Sequence, residues 1–149
     1  MLIALADLAS HTGTEVGRSQ WHAVTQAQVQ AFADATGDQQ WLHVDAARAA
    51  AGPFGGTIAH GYLTLALTPL VLSEAVQLDG VALTLNYGID RVRFMAPMPV
   101  GSRLRAIVEL LRAEPFEGGL QAAWKLTFEI EGAAKPACVA EIVFRYIAA

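Results

Sequence analysis

Asp38 and His43 stand five positions apart, just beyond a segment with helical periodicity. An imidazole can take or give a proton near neutral pH, and a carboxylate beside it can do the complementary step. Together the two side chains would hold one water. Further along, Ala59-His60-Gly61-Tyr62 opens a long apolar run. If a buried helix begins there, the Gly61 amide is among its unpaired N–H groups. Such groups carry positive partial charge and suit a developing oxyanion. Glycine has no side chain, so a carbonyl could come close. The two elements together point to proton transfer next to a carbonyl. Each also has a plain structural reading. Asp38 could simply end the preceding helix, His43 could pack in its loop, and Gly61 could let a helix start sit tightly on a sheet.

Other residue sets point elsewhere. His22, His43, His60, Asp38 and Asp45 could supply metal ligands. No H-E-x-x-H and no Cys/His cluster is present, so no metal is expected. Glu74, late in the apolar run, could be the carboxylate of a different enzyme, although a helix end near solvent explains it. Arg91, Arg93, Arg103 and Arg105 fall on or near predicted strands. They read either as sheet-edge charges or as partners for the phosphates of a large substrate. The chain has no G-x-G-x-x-G, P-loop or G-x-S-x-G, so nicotinamide, ATP and serine-hydrolase chemistry lack their usual support.

A chain of 149 residues fits a single domain spanning 1–149. Its residues are 54% hydrophobic and 16% charged, an apolar balance that leads us to expect a second copy covering part of the surface. The net charge of −4 and the lack of any Lys/Arg block argue against nucleic acid as a partner. The lone Cys138 cannot form an internal disulfide and fits a reducing cytoplasm. The N-terminus lacks the basic region of a signal peptide, and Asp7 interrupts its apolar run. The longest apolar stretch, Ile58 to Leu72, is shorter than the roughly 20 residues of a membrane span. No membrane association is expected.

Periodicity places these residues on elements. Leu2 to Ser10 reads as a short helix and Arg18 to Val24 as an edge strand. Thr25 and Gln28 form a capping-box pattern, followed by the apolar face Val29, Phe32 and Ala33. Gly37 is placed to end that helix in a left-handed turn. Asp38 and His43 are then expected in a loop, because a helix would turn them roughly 140° apart. Val44 to Ala51 reads as a short helical turn, broken by the Gly/Pro cluster Gly52 to Gly56. Thr57 is the expected cap of a long buried helix running to about Val76. Strands are expected over Val81–Phe94, Arg103–Glu114, Leu120–Glu131 and Cys138–Ile147. Helices first and antiparallel strands later imply an α+β domain.

The segments Gly37-Asp38 to His43-Val44-Asp45 and Gly52-Pro53-Phe54-Gly55-Gly56-Thr57-Ile58-Ala59-His60-Gly61 resemble the MaoC-like dehydratase family. Asn86-Tyr87-Gly88 to Arg91-Val92-Arg93-Phe94 and Pro97 to Gly101 extend the likeness, nearest the nodulation protein N-like and (R)-specific enoyl-CoA hydratase branch. The resemblance implies a hot-dog fold, an antiparallel sheet wrapped around one long central helix. It implies a homodimer, or a higher assembly, with the substrate tunnel between subunits. It implies (R)-specific hydration of enoyl thioesters and the reverse dehydration of 3-hydroxyacyl thioesters, without a cofactor. Coenzyme A or acyl carrier protein is the implied substrate carrier. By motif position, Asp38 and His43 match the catalytic pair, and Gly61, with His60, matches the oxyanion and substrate-binding element. Trp41, Asn86 and Tyr87 are candidate substrate contacts. Gln40-Trp41 departs from the usual Asn-Pro, so acyl preference is expected to differ. Thr64 or Thr68 would stand in for a serine that some members carry on the central helix. A hot-dog thioesterase using Glu74 and a non-catalytic acyl-binding module are the rival readings.

Overall fold

Residues that alternate apolar and polar send every second side chain to one face of a strand, and a sheet of such strands needs a second layer to cover that face. In the computed structural model, which describes residues 1–149, the layers run in the following order. Strand β1 (Leu2–Ala4) leads into a stretch of 3-10 helix (Leu5–His11), β2 (Glu15–Arg18) and β3 (His22–Ala23). Helices α1 (Gln26–Thr36), α2 (Trp41–Val44), α3 (Ala46–Ala50), α4 (Gly61–Ala66) and α5 (Thr68–Ala75) follow. The chain ends with β4 (Gln77–Asp79), β5 (Val81–Phe94), β6 (Arg103–Phe116), β7 (Gly119–Ile130) and β8 (Cys138–Ala148). Six strands make one antiparallel sheet in the order β2-β6-β7-β8-β5, with β3 also paired to β6.

The inward face of this sheet and the central helix bury each other. Leu104, Ala106, Val108 and Leu110 of β6 join Trp124, Leu126 and Phe128 of β7 in one core with Leu63, Val71, Leu72 and Ala75 of the helix. The Trp124 indole N–H donates to the Tyr146 hydroxyl at 2.9 Å, so the core's largest side chain leaves no polar atom unpaired. The outward face carries cross-strand ion pairs, Arg105 with Glu129 at 2.6 Å, Lys125 with Glu109 at 2.7 Å, and Arg103 with Glu131. Arg103 and Arg105 are thus taken up by the sheet surface. Strand β5 differs: it pairs only with β8, and most of its residues are exposed.

Several elements depart from expectation for identifiable reasons. The N-terminal segment yields Leu2–Ala4 to a parallel pairing with β4 and becomes helical only from Leu5. The expected strand over Arg18–Val24 is two short strands, interrupted at Ser19, whose hydroxyl accepts from the buried Ala106 N–H. The capping box is half formed. Gln28 N–H donates to Thr25 Oγ1 at 3.1 Å, but Gln28 Oε1 is buried without a partner. Thr57 caps no helix; its hydroxyl donates to Gln26 at 2.6 Å, Ile58 bridges to Pro99, and the central helix begins at Gly61. That helix is also interrupted at Leu67. Pro69 has no N–H for the Leu65 carbonyl, and the Thr68 hydroxyl donates to it instead, at 2.7 Å.

Candidate active site

The end of α1 positions the carboxylate. Gly37 adopts φ +82°, a left-handed geometry that favours glycine, and its N–H closes the helix on the Ala33 carbonyl at 2.8 Å. The turn beyond is braced by Asp34, whose Oδ1 accepts from Gln30 and Gln39 at 2.9 and 2.7 Å. Those two bonds, Gln39's foremost, hold the Asp34 carboxyl below its ordinary value. Asp38 follows and is half exposed, with one oxygen 3.4 Å from the Gln40 N–H.

His43 sits on the single turn of α2 rather than in the expected loop. The three residues Asp38 to Gln40 remain non-helical, so the two side chains still converge. His43 Nε2 lies 4.0 Å from Asp38 Oδ2, too far for a direct hydrogen bond and near enough for one water to touch both. The His43 ring is buried and its Nδ1 lies 2.7 Å from the Ile58 carbonyl. A carbonyl only accepts, so Nδ1 carries a proton and Nε2 faces Asp38. Burial lowers the His43 pKa below its ordinary value, and nearby His60 adds to this. The Ile58 bond and Asp38 oppose the shift without cancelling it.

His60 precedes the helix and is buried behind His43. The rings stack with centroids 3.8 Å apart and planes 25° from parallel. His60 Nε2 donates to the Asp38 carbonyl at 2.9 Å. Gly61 is the first residue of α4, and its N–H has no acceptor in the chain. A Cβ at Gly61 would meet the Phe94 ring at 3.1 Å, so the bare position serves close packing as well as access. The packing reading of Gly61 is thus observed, and it leaves the N–H without a partner.

Of these groups His43 and Gly61 line an open cavity of about 360 Å³; Asp38 is not on its wall and approaches it only through His43. His43, Gly61 and Thr64 form its polar side, and Phe54, Ile58, Phe94, Met98 and Ala137 form much of the apolar remainder. Thr64 is the threonine that faces this cavity; Thr68 lies against a different depression and is bonded to Leu65. His60 does not line the cavity. Trp41 lies under the Arg48 guanidinium, 4.5 Å from the ring centroid, and also off the cavity wall. Asn86 and Tyr87 on β5 border a separate depression along α5, and Arg145 stacks on Tyr87 at 3.7 Å. The Ile58 carbonyl, as a backbone group, left no signature in the sequence. Phe94 closes the alternating pattern of a strand but nothing marked it as a wall of the site.

Of the five candidate metal ligands, Asp45 and His22 are engaged elsewhere. Asp45 caps α3 by accepting from the Arg48 N–H, and His22 pairs with Glu74 at 2.9 Å. Asp38, His43 and His60 do bring ligand atoms within 4.8 Å of one another. Stacked imidazoles direct their lone pairs along nearly parallel planes, so the two rings do not aim at one tetrahedral ion. Glu74 accepts from both His22 and the Gln20 N–H, at the opposite end of the helix, about 20 Å of helical rise from Gly61.

Comparison with known proteins gives a consistent picture. The MaoC like domain matches residues 7–123. The chain is 55% identical over 146 residues to 3-hydroxyacyl-thioester dehydratase Z of Mycobacterium tuberculosis, covering 97% of each. It is 44% identical over 142 residues to Nodulation protein N of Rhizobium leguminosarum bv. viciae, covering 93% of this chain and 88% of that one. Among solved structures, the R-hydratase PhaJ1 from Pseudomonas aeruginosa superposes with a TM-score of 0.71 at 27% identity, over 91% of this chain and 83% of that chain. An (R)-hydratase from A. caviae superposes with a TM-score of 0.70 at 28% identity, over 89% and 96%.

Proposed function

This chain belongs to the MaoC-like domain family, and from that premise we propose that it is a hydro-lyase. It adds water across trans-2-enoyl thioesters with (R) specificity and, in reverse, dehydrates (3R)-hydroxyacyl thioesters. The carrying observation is the 4.0 Å gap between His43 Nε2 and Asp38 Oδ2, with His43 on the wall of a cavity that Gly61, whose N–H is uncommitted, also lines.

In the hydration direction a water donates one hydrogen bond to Asp38 and one to His43 Nε2, leaving its lone pair for C3. The oxygen–C3 bond forms as the C2–C3 π electrons move toward the thioester carbonyl. Negative charge gathers on that oxygen, where the Gly61 N–H stabilises it by about 3 kcal/mol, a typical worth for one such donor. One proton leaves the water for the Asp38/His43 pair, and the pair returns a proton to C2. The reaction is redox-neutral and needs only water as co-reactant. Coenzyme A or acyl carrier protein supplies the thioester. A thioesterase route through Glu74 gains no support, because both of its hydrogen-bonded partners lie away from this cavity.

The working unit is a homodimer. The outer edge of β5 is unpaired, and Leu83, Leu85, Tyr87 and Ile89 are 44–54% exposed. So long an apolar edge favours addition of another strand. Phe94, the last residue of β5, lines the cavity, so a second copy would stand beside the site. Two measurements test the proposal. Crotonyl-coenzyme A should lose its enoyl absorbance without release of free thiol and yield the (3R) product. Sedimentation should show a dimer at micromolar concentration. Thiol release without hydration, or a monomer with full activity, would contradict these two parts respectively.

A further inference from the structure

His60 was expected in the substrate-binding element, yet it does not line the cavity and is only 2% exposed. Its contacts run to the two groups assigned to chemistry. One ring nitrogen, Nε2, lies 2.9 Å from the backbone carbonyl of Asp38. One ring face lies 3.8 Å from the centroid of His43. Phe32, from α1, tilts against His60 with centroids 4.9 Å apart, and so ties this ring to the helix that precedes Asp38. The remaining polar atom, Nδ1, is buried without a partner in the chain. The ring therefore commits its one hydrogen bond to the chain segment that carries the carboxylate.

We propose that His60 is a positioning residue, which fixes the gap between Asp38 and His43 by tethering the backbone of one and bracing the ring of the other. The inference rests on the reading of Asp38 and His43 as the catalytic pair. Its physical basis is that the Asp38 side chain itself is held only by a long contact to the Gln40 N–H at 3.4 Å. With the carboxylate half exposed, its placement depends on its backbone. A reacting group misplaced by about 1 Å can lose about a hundredfold in rate. A supporting layer of this kind is what a precise site requires.

Two substitutions separate the tether from the brace. His60→Phe keeps a ring for stacking and removes the donor. His60→Gln removes the ring and keeps an Nε2 donor the same number of bonds from Cβ. The proposal expects His60→Phe to lower kcat by about 10- to 100-fold with KM little changed. His60→Gln should recover part of that loss. Wild-type kcat in a folded His60→Phe enzyme, a loss confined to KM, or a Gln variant no better than Phe would each overturn it. If neither variant folds, long-range proton–nitrogen spectra of the wild-type imidazoles decide. The proton of His60 is expected on Nε2 and that of His43 on Nδ1; the opposite tautomer at His60 overturns the tether. Asp38→Asn and His43→Ala are assayed alongside. Full turnover in those two would remove the catalytic reading itself, whereas the His60 tautomer is measured independently of turnover.

Discussion

Two histidine–carboxylate pairs flank the central helix, one toward each end, and they are built differently. At the far end His22 and Glu74 are in contact at 2.9 Å, and the same Glu74 oxygen also accepts from the Gln20 N–H at 3.0 Å. That oxygen is committed twice over. Near the start His43 and Asp38 stop at 4.0 Å, and His43 is anchored instead from behind, through Ile58 and the stacked His60. The closed pair fastens β3 to the end of α5. The open pair keeps its lone pairs for a third molecule. Acid next to imidazole therefore says little by itself; unspent hydrogen-bonding capacity is what distinguishes the pair proposed to react.

Breaking each pair sharpens this contrast most. Asp38→Asn and His43→Ala should each lower crotonyl-coenzyme A hydration by about a hundredfold or more. Glu74→Gln and His22→Ala should leave kcat within about twofold. Equal losses at both pairs would erase the distinction. The next effect concerns the Gly61 amide, on the cavity that His43 also lines. His60 has φ −59° and ψ 136°, a geometry that a following proline accepts, and the first helical position tolerates proline. Gly61→Pro therefore removes the N–H with little backbone cost, and Gly61→Ala controls for the added bulk against Phe94. The proline variant should fall about 10²-fold below the alanine variant in kcat. Parity between them would show that the amide does not serve the oxyanion.

A smaller effect is in pH. Burial keeps the His43 pKa below its ordinary value, so His43 remains unprotonated at a pH where an exposed histidine is charged. The acid limb of kcat/KM should accordingly fall below about pH 6.5, the ordinary histidine value. The unfolded chain binds the proton more readily, so this group's share of stability is present above that value and declines as pH drops. The smallest effect belongs to the closed pair. Burial works against the Glu74 charge, but the His22 and Gln20 bonds outweigh it and hold the carboxyl below its ordinary value. Its contribution is present above the unfolded carboxyl pKa and is lost as pH falls through the folded one. As a partly exposed pair it is worth at most about 1 kcal/mol, measurable by denaturant titration of Glu74→Gln at pH 7.

Local chemistry made part of this site legible. Thr25 and Gly37 mark the ends of α1 because capping depends on a few adjacent residues, and those ends fix where Asp38 begins. The alternation of β7 marks its buried face for the same local reason. The start of the central helix was misread because Thr57 is claimed by Gln26, a partner 31 residues away. The pairing of β1 with β4 also escaped, since a three-residue parallel contact has no pattern of its own. Type and spacing single out Asp38, His43 and Gly61 as candidates, and the roles proposed for them are what the substitutions above test. The orientation of His60 was not legible, because stacking on His43 and bonding to the Asp38 carbonyl are decided only when α1, α2 and α4 come together.

The open side of β5 has a consequence for the life of the newly made chain. In the dimer proposed above, a copy that has folded but not yet paired presents fourteen residues of strand with one side free. Any extended segment of another nascent chain can be captured there, and the apolar side chains reward the error. Correct assembly is thus a race against aggregation. Slow synthesis at low temperature should favour the native partner, and rapid overproduction should favour inclusion bodies.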